Sequence, residues 1–316
     1  MTDNLKEAYT KPIHEWMSFH ETKPLNGPSR TMPRHDLKPD AVIRKLSIEV
    51  AAGDVRLPSL PDIALRVQKV LDDPHATRSQ IAQVIAADAA LAARIMKLAN
   101  SAFLNPTAAP ITDLQRAITQ LGQQLVRCSA VSFSLQQMQL GSGGEALRPY
   151  VREIWRKGAL VASIANVLAR ESGIVKPDVA LMCGLMHNIG DLYITVSEPR
   201  RVTEFADSDA WRKMVEEWHP RIAAAILRHW KFPADIATAV GNQNLADRER
   251  EADGLTDVLV AAKALEACVF HREMLDEAVA AGATFTRLRL SAEDCKSLLA
   301  AAGDHIKALR AALTGG

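Results

Sequence analysis

The chain has few cysteines, few aromatic residues, no excess of either charge and no familiar nucleotide-loop signature, and each shortage excludes a class of protein. Four cysteines in 316 residues (Cys128, Cys183, Cys268 and Cys295) lie far apart with no C-x-x-C pair. They read as buried thiols in a reducing cytoplasm, not as a disulfide or zinc framework. Lys and Arg number 38 against 37 Asp and Glu, a net charge of +1, so polyanion binding gains nothing from bulk electrostatics. The basic groups Arg200-Arg201 and Arg248-Glu249-Arg250 read as solvated surface, and no nucleic-acid partner is expected. No apolar run approaches the roughly 20 residues needed to span a bilayer. Met1 to Asp40 lacks the apolar core of a signal peptide. No membrane association and a cytoplasmic location are expected. The G-x-x-x-x-G-K, G-x-S-x-G and G-x-G-x-x-G patterns are all missing, which leaves no phosphate loop or activated serine to argue from.

What remains is helix. Residues 1–40 hold Pro12, Pro24, Pro28, Pro33 and Pro39 with little periodicity, and read as a flexible tail with one short helical turn around Ile13 to Phe19. From Ala41 onward the 3.6-residue period dominates: Leu60, Ile63, Val67 and Val70 share a face, as do Leu91, Ile95 and Leu98, then Leu114, Ile118, Leu121 and Leu125. Alternating patterns are scarce, so the expected fold is all-α. Gly141-Ser142-Gly143-Gly144 breaks the chain after the helix through Ser132 to Leu140. The expected layout is a tail at 1–40, an N-terminal helical lobe at 41–140 and a second helical lobe at 145–316. The glycines form either a hinge between the lobes or a passive surface loop. Helices are expected near Leu147 to Ser172, Pro177 to Val196, Trp211 to Trp230, Pro233 to Asn244, Leu255 to Leu275 and from Ser291 onward. The stripe Leu298, Ile306 and Leu309 reads as core or as a face for a partner helix.

Several motifs occur in a specific order: LPSLPDIALRVQKVLDDP from Leu57 to Pro74, IAQVIAADAALAARIMKLANSAF from Ile81 to Phe103, ITDLQRAITQLG from Ile111 to Gly122, GLMHNIG from Gly184 to Gly190, and Trp230-Lys231-Phe232-Pro233. Together they resemble the HDOD domain of bacterial signalling proteins over roughly residues 41 to 275. That resemblance implies an N-terminal helical lobe followed by a degenerate relative of the HD phosphohydrolase lobe. Read physically, Pro58 and Pro61 set the start of a helix, Asp88 is placed to cap the helix that carries Leu91, and Gly122 permits a close turn between helices.

The same resemblance places the metal-ligand positions of an HD enzyme on this chain. The first His falls at Lys157, the His-Asp pair at His187-Asn188, the last Asp at Lys263, and a further His-His pair of related enzymes at Gln243-Asn244. A neutral amide is a weak substitute for a carboxylate, and a lysine repels a cation. The set therefore implies no metal, no cofactor and no catalysis. A rebuilt site is the alternative: His187 and Asp191 are four apart on one face, with His219 and His229 on the next helical segment. Against it, His187 reads as a packed histidine, Asp191 as solvated, and His219-Pro220 as a helix start. Arg94, Asn100 and Ser101 are either helix-end capping groups or pocket residues. The expected function is a non-catalytic signal-transduction protein that binds a protein partner or a small nucleotide in a cleft between the lobes. The alternatives are a metal-dependent phosphohydrolase or phosphodiesterase with an altered ligand set, and a nucleotide sensor that binds without cleaving.

Overall fold

The computed structural model describes residues 62–101, 104–105, 109–142, 144–197, 202–203, 208–245, 253–269, 272–301, 303 and 306–307. The tail 1–40, the Pro58 and Pro61 start, Leu60, Gly143, Arg200-Arg201, Arg248 to Arg250 and Leu309 lie outside these residues. Among the described residues all regular structure is helical.

Among the described residues three helices come first: α1 Asp62–Asp72, α2 Arg78–Ala86 and α3 Ala89–Ala99. Helix α1 buries Val67 of its expected stripe together with Leu71, while Ile63 and Val70 are half-buried; α2 buries Ile81 and Ile85, and α3 buries the expected Leu91, Ile95 and Leu98. The caps are side chains. Thr77 and Gln80 form a reciprocal capping box on α2, and Asp88 accepts from the Ala90 and Leu91 amides on α3. Asn100 ends α3 and clamps the next segment, its Nδ2 donating to the Met96 and Ile111 carbonyls while its Oδ1 accepts from the Ile111 amide. Helix α4, Leu114–Ser142, kinks at Gly122, where φ is +74°. That left-handed value is what glycine supplies at low cost.

Helix α5, Gly144–Ser172, begins almost where α4 stops. Gly141, Ser142 and Gly144 are thus helical, whereas a break was expected from 141 to 144. Helix formation propagates cheaply once neighbouring turns exist, and each glycine costs only about 1 kcal/mol. The second lobe continues with α6 Pro177–Met186, α7 Ile189–Ser197, α8 Asp209–His229, α9 Ala234–Asn242 and α10 Gly254–Cys268. A short 3₁₀ turn, Arg272–Met274, then leads to α11 Leu275–Ala281, α12 Ala283–Arg287 and α13 Ala292–Ala301. The one helix expected over Pro177 to Val196 is two, parted at His187-Asn188. The apolar pattern runs straight through that break, so periodicity could not mark it. Conversely, Pro220 lies inside α8 and does not begin a helix.

One apolar core runs through both lobes. Helix α4 packs on α1, α2 and α3 on one side and on α6 on the other, and the buried Gln68 of α1 donates its amide to the Trp230 carbonyl at the end of α8. Pro177–Ser197, with a mean hydropathy of 1.3, is long and apolar enough to cross a membrane by composition, but 78% of that window is buried inside the fold. This corrects the expectation that no such stretch exists, because the run owes its apolar character to burial on all sides. The four cysteines are unpaired and buried. On α10 the buried Asp257 accepts two hydrogen bonds from Arg287, at 2.8 and 2.6 Å, which pins α12 in place.

Helix α8 ends in a Schellman-type turn, the Phe232 amide donating to the Leu227 carbonyl at 2.9 Å. Lys231 takes the left-handed position there with φ 55°. Lys231→Gly is expected to raise stability by roughly 0.5–1 kcal/mol, read as a higher urea midpoint, because it removes the Cβ strain of that conformation. A lower midpoint would show that the lysine side chain is held by contacts worth more than the strain.

Candidate functional site

Packing geometry forces the site together. A Cβ on Gly184 would overlap the Ala162 backbone of α5, and one on Gly190 would overlap the His219 carbonyl and lie 2.9 Å from the Ala223 amide nitrogen of α8. The two glycines flanking His187-Asn188 are therefore contact points that let α6 lie on α5 and α7 on α8 at backbone distance. His187 and Asn188, at the break, then face α5, α8, α9 and α10 together.

A cavity of about 600 Å³ opens there, lined by Lys157, His187, Asn188, Asp191, His219, Gln243, Asn244 and Lys263 among others. Every one of the six degenerate positions lines it. Its lining residues run from Pro149 onward, so the cavity lies within the second lobe and not in a cleft between lobes. His229 is exposed at the end of α8 and does not line it. Arg94, Asn100 and Ser101 belong to the first lobe and do not line it either. Asn100 does the capping and clamping described above, and Ser101 is half-buried.

The polar floor is a hydrogen-bonded network centred on Lys263. The Lys263 ammonium donates to Gln243 Oε1 at 2.9 Å and to Asn244 Oδ1. Gln243 Nε2 in turn donates to the His187 carbonyl at 3.0 Å and the Val240 carbonyl at 2.8 Å. Asn244 Nδ2 donates to the Glu216 carbonyl at 2.7 Å. Asn188 Nδ2 donates to the Ile154 carbonyl of α5 at 3.0 Å, a bond that an ionised aspartate, which only accepts, could not make. Asn188 therefore suits its neighbours. Burial, then the Lys263 and Lys157 charges, push the His187 imidazolium down to about 3, against a hydrogen bond from Nδ1 to the Gly184 carbonyl at 2.6 Å. Burial and Lys263 hold His219 well below its ordinary value, with the His187 backbone partly opposing. Both imidazoles are neutral near pH 7. Burial lowers Lys263 to about 8, opposed by Glu216 and Glu266, and raises Asp191 to about 6, opposed by Lys157 and Thr195.

These residues do not fit a divalent metal. Among the described residues no three His, Cys, Asp or Glu side chains converge as a metal site. The anionic donors that would offset the charge of a cation are replaced by amides, and an ammonium stands among them. The sequence reading missed Trp211, Arg212, Glu216 and Glu266, which also line the cavity. The signal was present: Trp211, Arg212, Val215 and Glu216 lie eight, seven, four and three residues before His219, on its face of α8.

An all-helical domain in which a broken His-bearing helix is enclosed by four others has the architecture of the HD-like helical phosphohydrolases. The chain belongs to the HDOD domain family, whose model matches residues 57–245. It is similar to an uncharacterized protein of Treponema pallidum (strain Nichols), 23% identical over 226 residues. That match covers 67% of this chain and 42% of the relative, so the chain spans less than half the length of that curated protein. Among solved structures, a Shewanella amazonensis protein provisionally named a metal-dependent phosphohydrolase is 25% identical with a TM-score of 0.71, over 87% of this chain and 99% of that one. An HDOD domain protein of unknown function from Geobacter sulfurreducens is 23% identical with a TM-score of 0.61, over 87% and 98%.

Proposed function

We propose that this HDOD protein is a cytoplasmic, non-catalytic component of signal transduction that acts by binding, with the cavity of the second lobe as its ligand site. The observation that carries this reading is the Lys263 ammonium, hydrogen-bonded to Gln243 and Asn244 beside two neutral histidines. Metal-assisted hydrolysis needs a charge-compensated cation that lowers the pKa of a bound water. Here the local positive charge is covalent and has no coordination position for water. A concave site of about 600 Å³ suits a small ligand better than a protein segment, and a protein partner would read the outcome from elsewhere on the surface.

The test is elemental analysis of the purified protein together with assays on phosphodiester and nucleotide substrates. The expected result is no stoichiometric iron, manganese or zinc and no turnover. One or two metal equivalents per chain, with hydrolysis lost in His187→Ala, would establish the altered-ligand phosphohydrolase instead.

A further inference from the structure

The hydrogen-bonding capacity left over in the cavity describes what fills it. Ten buried side-chain nitrogen or oxygen atoms among the described residues lack a hydrogen-bond partner, and four of them belong to cavity-lining side chains: Asn188 Oδ1, Arg212 Nε and one Arg212 terminal nitrogen, and His219 Nδ1. Such atoms are rare in folded proteins because each forfeits its solvation, and a concentration of them marks a missing polar occupant. Both Arg212 atoms are donors, since the remaining nitrogen alone pairs with Asp209. Asn244 spends its Oδ1 on Lys263 and directs its Nδ2 at the Glu216 carbonyl, with His219 Nε2 at 3.4 Å. The two orphaned Arg212 nitrogens are donors whatever the His219 tautomer, and an occupant that brings oxygen acceptors satisfies them.

Its size and body follow from α8. Arg212 and His219 are seven residues apart on one face, about 10 Å along the axis. Between and opposite them stand Trp211, Val215, Tyr150 and Ala264, an apolar wall suited to a hydrocarbon or aromatic body. A volume of about 600 Å³ is within the ordinary range for a small organic ligand. Guanidinium is the side chain best matched to a planar or tetrahedral oxyanion, and the exposed Asp209 engages it through one nitrogen only.

We propose that the cavity binds a small organic anion, its acidic group on Arg212 and its apolar body against Trp211, Tyr150 and Val215. This rests on the reading above that the site binds and does not hydrolyse. The probes are a matched pair of fluorophores: 8-anilinonaphthalene-1-sulfonate, and N-phenyl-1-naphthylamine, which has the same rings without the anion. The sulfonate is expected to bind the full-length folded protein one to one and at least about tenfold tighter, in keeping with a charge-assisted hydrogen bond. Arg212→Gln should abolish that preference and leave the affinity for the neutral probe unchanged, while Arg212→Lys retains part of it. Ala264→Trp, which fills the cavity, should remove both probes. Displacement of the sulfonate by adenosine monophosphate would mark a phosphate ester, and displacement by decanoate a carboxylate. Equal affinities for the two probes, a preference that survives Arg212→Gln in a protein of unchanged helicity, or binding that survives Ala264→Trp would overturn the proposal. The two readings fail separately. A metal-loaded, hydrolytic preparation that still prefers the sulfonate sinks the earlier one alone, and a metal-free preparation without the preference sinks this one alone.

Discussion

Gly190→Ala is expected to destabilise the protein by about 3 kcal/mol, the upper end of overpacking costs, because the added methyl meets backbone and has no rotamer to escape into. The new Cβ would overlap the His219 carbonyl oxygen and lie 2.8 Å from the His219 carbonyl carbon. Relief requires α7 and α8 to separate, which draws His219 away from Asn244 and opens the cavity floor. Gly122→Ala is the internal control. A Cβ there meets nothing within 4 Å, but φ is +74°, so only conformational strain of about 1–2 kcal/mol is at stake. Urea unfolding of the two variants reads the contrast. Equal losses would show that α7 and α8 are not in backbone contact.

The second large effect is acid sensitivity carried by His187. Its folded pKa of about 3 lies below the ordinary value of 6.5, so the unfolded chain takes up the proton first as pH falls. The stabilisation is present in full above about 6.5 and is lost toward 3, at up to about 1.4 kcal/mol per pH unit. His219 shifts in the same direction. Asp191 works the other way: raised from 3.8 to about 6, it contributes stability that is complete below 3.8 and lost as pH rises through 6. Glu266, also raised by burial, shares that sign. A comparison with His187→Ala isolates one group from this partial cancellation. At pH 7 the variant should be less stable by about 1–3 kcal/mol, through a cavity and a lost hydrogen bond. The gap should close as pH falls below 6.5 and vanish near pH 5. A gap that stays constant from pH 7 to 5 would mean that His187 titrates alike in both states.

Much of this arrangement was legible in the residues. The helical faces of Leu91, Ile95 and Leu98 and the Asp88 cap follow from local periodicity and capping chemistry, which need no tertiary knowledge. Lys157, His187, Asn188, Gln243, Asn244 and Lys263 meet at one cavity, because motif order preserved the spatial order of the helices that carry them. What sequence could not supply is long-range. That Asn188 donates to Ile154, or Lys263 to Gln243, depends on how α5, α9 and α10 are stacked, and no spacing rule encodes it. His229 shares a helix with His219 but lies ten residues on, at the exposed last position of α8, so proximity in sequence misled. The break at His187 was hidden because residues on both sides are apolar and buried from every direction.

The ammonium on Lys263 has one further consequence. A bound ion equilibrates with its surroundings: it can be chelated, exchanged for a neighbouring element or lost in starvation, and a site built on one reports on supply. A charge carried on a side chain and held by Gln243 and Asn244 is present at one copy per chain wherever the chain is folded. Whatever occupies this cavity, the supply of iron, manganese or zinc does not enter through this charge.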